Sequence, residues 1–155
     1  MRRRVAEGGL EVEVTMTSPL WAGCRELLSR ALILAAAEEG AAGSVSLLLA
    51  DDSAVAALNA QFRDKPGPTN VLSFPAHPVA AGSAGWLGDI ALAAETIVKE
   101  ADFQGKRFEH HAAHLAVHGF LHLLGYDHEE PGEAEQMEAR ERAILRRLGI
   151  ADPYA

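Results

Sequence analysis

Hydrophobic and polar positions change rhythm several times along the chain, and each rhythm predicts an element. Leu10-Glu-Val-Glu-Val-Thr-Met16 alternates with period two, as a half-exposed strand does. Ser18-Pro19 supplies a cap and a first-turn proline for a helix running to about Glu39, where Gly40 stops it; Leu27, Leu28, Ala31, Leu34 and Ala35 form its apolar stripe. Residues 44 to 50 read as a buried strand through Val45, Leu47, Leu48 and Leu49, and Asp51-Asp52-Ser53 caps a helix carrying Val55, Leu58 and Phe62. After a loop with Pro66, Gly67 and Pro68 comes the short strand Asn70-Val-Leu-Ser-Phe74, ended by Pro75. Residues 76 to 85, rich in Ala, Gly, Ser and Pro, read as a flexible excursion before a fourth strand over 86 to 92 and a helix over 94 to 103. Residues 107 to 124 are apolar on nearly every side, which predicts a helix buried centrally in the fold. Pro131 begins a last amphipathic helix in which Glu138 and Arg142 pair across one turn.

The order β-α-β-α-β-β-α-α-α predicts an α+β fold: a small mixed sheet of about four strands packed with about five helices. No repeat or linker divides the 155 residues, so one domain is expected, with residues 1–9 as a flexible lead-in. A hydrophobic content of 48% is enough for a sizeable core. No run approaches the roughly 18 apolar residues of a membrane span, and Glu7, Glu11 and Glu13 follow Arg2-Arg3-Arg4 where a signal peptide would place its apolar stretch. A cytoplasmic protein without a membrane partner is therefore expected. The single cysteine, Cys24, fits that compartment as a small core residue. A formal net charge of −8 argues against a broad basic nucleic-acid surface, and DNA is not an expected partner. Arginine outnumbers lysine eleven to three, however, and guanidinium grips phosphate through a planar fork, so a local basic cleft stays open.

The most specific segment is His118-Gly-Phe-Leu-His122-Leu-Leu-Gly125-Tyr-Asp-His128. Residues four apart share a helix face, so His118 and His122 aim two nitrogens at one point. A helix continued to 128 would carry that ring about 15 Å along the axis. Gly125 supplies the left-handed residue that ends a helix and lets Tyr126-Asp127 fold back, bringing His128 to the other two. Three neutral imidazoles with an open fourth position are the donor set of a catalytic zinc on the central helix. His114 also stands one turn before His118, but His122 is about 12 Å from it, too far to share an ion. His114 is therefore assigned to packing or to a place behind a ligand, and His110 and His111 to a solvated helix start.

Two further segments look chemical. Arg63 precedes the Pro/Gly loop and Thr69-Asn-Val-Leu-Ser-Phe-Pro75; it reads as a phosphate clamp or as a surface arginine beside a turn. Asp89, in Gly88-Asp89-Ile90, is a carboxylate within an apolar strand that orients a metal ligand or is an ordinary edge-strand aspartate. The histidine offsets coincide with the zinc motif of metzincin proteases, yet the glutamate those enzymes need directly after the first histidine is Gly119 here. That disfavours peptide hydrolysis. An anionic, oxygen-rich substrate with Arg63 neutralising developing charge suits a phosphodiester instead.

The chain resembles the YbeY family, bacterial metal-dependent endoribonucleases of rRNA maturation. The resemblance rests on His118 to His128 throughout, on Arg63 followed by Thr69-Asn-Val-Leu-Ser-Phe-Pro75, and on Leu87-Gly-Asp-Ile90; Asp64 stands where the family more often has glycine. It implies one zinc ion on His118, His122 and His128, catalytic roles for Arg63 on the RNA phosphate and for His118, and cleavage of single-stranded RNA during small-subunit rRNA 3′-end processing and ribosome quality control. It also implies contact with small-subunit ribosomal proteins and an assembly GTPase. Attack by water and by the ribose 2′-hydroxyl both stay open, with Asp127, Glu129 and His114 the nearest candidate bases. The alternatives are an assembly factor with a structural zinc and a zinc hydrolase of another substrate class.

Overall fold

The structure, a computed structural model, describes residues 2–7, 9–63, 69–76, 85–127 and 130–155. Five strands form one sheet in the order β1-β2-β3-β5-β4: β1 (Arg2–Glu7), β2 (Leu10–Met16), β3 (Gly43–Ala50), β4 (Val71–Pro75) and β5 (Trp86–Ala93). The helices are α1 (Arg25–Glu39), α2 (Asp52–Arg63), α3 (Ala94–Gln104), α4 (Phe108–Leu123) and α5 (Pro131–Arg147). β2, β3 and β5 run parallel, while β1 and β4 pair antiparallel at the two edges. This is the mixed sheet expected: β2 and β3 are parallel and joined through a helix, while β4 and β5 pair antiparallel.

Two differences from the sequence pattern have physical reasons. Arg2–Glu7, expected to be a flexible lead-in, forms a strand whose Val5 lies opposite Val12. Three consecutive arginines carry no alternation, so this strand is specified by its partner rather than by its own pattern. The first helix also starts late. Ser18 Oγ caps only a short 3-10 turn, Pro19–Trp21, and α1 begins at Arg25, after Gly23 at φ 84° has turned the chain. The turn seats Trp21 in the core, where its indole N–H donates to the Ala50 carbonyl at 2.8 Å.

Val12, Val14, Val45, Leu47, Leu49, Ile90 and Leu92 point to one face of the sheet and pack under α1 and α4. On the opposite face, Ala91, Ala93, Leu72 and Phe74 meet Val55 and Leu58 of α2. α4 has no side-chain cap at its N-terminus. Its Phe120 and Leu121 are wholly buried, and each such side chain is worth roughly 1.5–3 kcal/mol, which outweighs a missing cap. Gly119 lets α4 lie close to the sheet: a Cβ there would meet Ser73 Oγ at 2.9 Å, Ile90 at 3.1 Å and Val71 at 3.3 Å. Ser73 Oγ in turn donates to the Gly119 carbonyl at 3.0 Å. No helix among the described residues is long and apolar enough to cross a membrane.

Candidate metal centre

The i, i+4 spacing on α4 places the Nε2 atoms of His118 and His122 3.1 Å apart, with their rings nearly perpendicular at 84°. The helix then ends as the glycine predicts. Gly125 adopts φ 103°, its N–H bonds to the His122 carbonyl at 3.1 Å, and the Tyr126 N–H reaches back to the Leu121 carbonyl at 3.1 Å. This closure brings the Tyr126 carbonyl to Nδ1 of His122 at 2.9 Å. The Tyr126 hydroxyl donates to Glu39 Oε1 at 2.6 Å, and Arg140 Nε donates to Glu39 Oε2 at 2.6 Å, so the return loop is tied to both α1 and α5.

Nδ1 of His118 faces a different acceptor, Oε2 of Glu141, at 3.1 Å. Glu141 is completely buried, and its other oxygen accepts from His114 Nε2 at 2.5 Å and from the Tyr154 hydroxyl at 2.6 Å. Burial alone would raise this carboxyl, but the hydrogen bonds from His114, His118 and Tyr154 outweigh it and hold the group at about 2. A carboxylate that only accepts requires the proton of His118 on Nδ1 and that of His114 on Nε2. His114 therefore turns its Nε2 to Glu141 rather than to the pair, and its buried Nδ1 has no hydrogen-bond partner among the described residues.

Both His118 and His122 thus carry Nδ1–H, and their Nε2 atoms converge. Two imidazoles bound about 2.0–2.1 Å from one tetrahedral ion have nitrogens about 3.3 Å apart, close to the spacing found. Donation of Nδ1–H to a carboxylate and to a backbone carbonyl is also the pattern that orients histidine ligands. The donor set fits a divalent metal. Among the described residues no third His, Cys, Asp or Glu joins the pair. His128, the third predicted ligand, lies outside them, as does Glu129. Arg63 is the last residue of α2, and its side chain lies outside what is described.

Two readings of the sequence are corrected. Asp89 neither orients a ligand nor sits on an edge: β5 is paired on both sides, and Asp89 points to the sheet face opposite α4. There it lines a cavity of about 390 Å³ with Thr15, Ser46, Phe62 and Phe74. Packing raises its carboxyl, and a hydrogen bond with Ser46 partly offsets this. His111 is buried rather than solvated, with Nε2 2.8 Å from Glu100 Oε1; burial lowers its pKa, and the contact with Glu100 partly offsets this. The orienting carboxylate is Glu141, which the sequence reading missed. Its signal was a lone acid within the apolar stripe Met137, Ile144 and Leu145 of α5.

Residues 13–149 match the family described as Endoribonuclease YbeY. The chain belongs to this family. Among curated relatives named Endoribonuclease YbeY, that of Rhodopseudomonas palustris strain CGA009 is 51% identical, covering 92% of this chain and 80% of the relative. That of Chelativorans sp. strain BNC1 is 54% identical, covering 84% and 83%. The fold is shared with the solution structure of TM1509 from Thermotoga maritima, at a TM-score of 0.62 and 23% identity over 89% of this chain and 91% of that one. On this chain, the pair of imidazoles on α4 stands next to the buried Glu141 of α5.

Proposed function

We propose that this chain is a zinc-dependent endoribonuclease that cuts single-stranded RNA in the cytoplasm, acting on small-subunit rRNA during 3′-end maturation and ribosome quality control. One observation supports the chemistry above all: two imidazole Nε2 atoms 3.1 Å apart, each ring held by its own Nδ1–H. His118 and His122 would hold the ion, with His128 as the third donor predicted by the sequence. A cation so held supplies Lewis acidity and positive charge for a phosphodiester.

The chain's own residues do the rest. Glu141 and the Tyr126 carbonyl fix the two rings before substrate arrives, so no reorganisation is required at the moment of reaction. Arg63 grips the scissile phosphate and offsets the charge that develops on its oxygens. Gly119 is packed against Ser73 and Ile90, so no side chain there reaches the site as a protease glutamate would. The nucleophile is water or the ribose 2′-hydroxyl. The second route expels the 5′-oxygen and leaves a 2′,3′-cyclic phosphate. Contacts with small-subunit proteins and an assembly GTPase complete the reading.

The test is cleavage of end-labelled single-stranded RNA by protein freed of contaminating nuclease, as wild type, His122→Ala and Arg63→Glu, alongside elemental analysis of protein never exposed to nickel or chelator. Metal-dependent cutting lost in both variants supports the proposal, and the end group formed distinguishes the two nucleophiles. Intact fold and bound metal with no cutting would overturn it in favour of an assembly factor. Peptide turnover lost with the metal would point to another hydrolase.

A further inference from the structure

We propose that Tyr154, acting through Glu141, is a positioning residue of the metal centre: it holds the carboxylate that orients His118. The inference rests on reading His118 as a ligand.

His114 and His118 reach Glu141 from α4, and the Tyr154 hydroxyl is the donor that reaches it from outside that helix, at 2.6 Å. A glutamate side chain has three rotatable bonds, so a carboxylate gripped from one helix keeps freedom to swing. A donor from another direction removes it. Tyr154 is itself held on several sides. Its ring stands edge-on to His114, with centroids 5.4 Å apart at 86°, and beneath the Arg142 guanidinium at 5.3 Å. Its backbone N–H donates to Asp152 Oδ1 at 2.8 Å, Arg142 Nε donates to the same carboxylate, and Lys106 Nζ donates to the Pro153 carbonyl at 3.1 Å. The segment Asp152-Pro153-Tyr154 is thus docked against both the start of α4 and the face of α5. Its docking decides which way Oε2 of Glu141 points, and therefore which nitrogen of His118 carries the proton.

The experiment measures two quantities on the full chain, neither of which requires RNA. Zinc affinity is read by competition with a chelator of known affinity. The His118 tautomer is read from long-range proton–nitrogen spectra of the metal-free protein. Tyr154→Phe keeps the ring contacts and removes only the donor; Glu141→Gln keeps the shape but presents an N–H to one of its imidazole partners. We expect zinc affinity about tenfold weaker in Tyr154→Phe and about 10- to 100-fold weaker in Glu141→Gln. The Nδ1–H form of His118 should lose population in both, with circular dichroism unchanged. Should Glu141→Gln fail to fold, Tyr154→Phe decides alone. Wild-type affinity and a wild-type His118 spectrum in Tyr154→Phe would overturn the inference. Undiminished zinc binding in His122→Ala would instead overturn the ligand reading beneath it, whereas zinc binding that follows this pattern without RNA cleavage would leave the positioning role standing and the nuclease proposal fallen.

Discussion

Glu141 of α5 accepts a hydrogen bond from Nδ1 of His118 on α4 at 3.1 Å, so a contact between two helices sets the direction of a candidate ligand. The carboxylate is fully buried, yet its partners keep it ionised at about 2. A carboxyl depressed below its ordinary value of 4.5 adds stability that is complete above that value and disappears as pH falls through the folded one. The shift of 4.5 to about 2 corresponds to roughly 3 kcal/mol. Denaturant titrations of the metal-free protein should therefore show stability falling between pH 4.5 and pH 2, and Glu141→Gln should remove most of that slope.

His111 governs a different window. Its pKa is lowered from 6.5 by burial, so below that pH the unfolded chain takes up a proton that the folded ring refuses. Stability should decline as pH drops from 7 towards the lowered folded value. His111→Phe should flatten the curve in this range alone while leaving the acid limb due to Glu141 intact. Equal slopes in wild type and variant between pH 7 and 5 would contradict the assignment.

How much of this was legible in the sequence follows from the range of each interaction. His118, His122 and Gly125 lie within eight residues of one another, and helix geometry plus a left-handed stop suffices to predict that the two rings converge and the chain turns back. Glu141 is 23 positions from His118 along the chain. Local pattern paired its neighbours Glu138 and Arg142, a contact the structure contains at 3.7 Å, and gave no reason for the acid on the buried stripe. His111 was misplaced because the helix start is solvated only where nothing packs on it, and here Glu100 of α3 does. β1 was missed because strand pairing is a property of two segments, and Arg2-Arg3-Arg4 shows no alternation of its own.

Gly119 distinguishes this centre from a protease by sterics. Gly119→Ala would set a methyl 2.9 Å from Ser73 Oγ and 3.1 Å from Ile90, forcing α4 off the sheet or Ser73 off its bond to the Gly119 carbonyl. Such overpacking costs about 1–3 kcal/mol. Gly119→Glu should be worse, and it should not introduce peptide hydrolysis, because its carboxylate would begin its path inside the α4–β4 contact. Thermal unfolding and a peptide turnover assay on both variants check this.

Arg63→Lys tests whether the charge alone or the planar fork serves the phosphate. A point charge on a flexible stem cannot reproduce a two-pronged grip, so single-turnover RNA cleavage should drop about 10- to 100-fold in Arg63→Lys and further in Arg63→Glu. Zinc content should be unchanged in both. Loss of zinc from either variant would assign Arg63 to the integrity of the metal centre instead.

Gly125 offers the cleanest separation of backbone conformation from packing. Its φ of 103° is one that residues with a Cβ rarely adopt, while a Cβ built there has no heavy atom within 4 Å among the described residues. Gly125→Ala therefore adds no clash among the described residues, and its expected effect is the cost of the left-handed backbone, about 1–2 kcal/mol. The strain is relieved by loosening the turn, which withdraws the Tyr126 carbonyl from Nδ1 of His122. Zinc affinity should then fall together with stability, whereas Gly119→Ala, whose Cβ would press on Ser73 and Ile90 of the sheet rather than on the loop, should lower stability with a smaller change in affinity. A Gly125→Ala protein that is destabilised yet binds zinc as tightly as wild type would show that the return loop orients nothing.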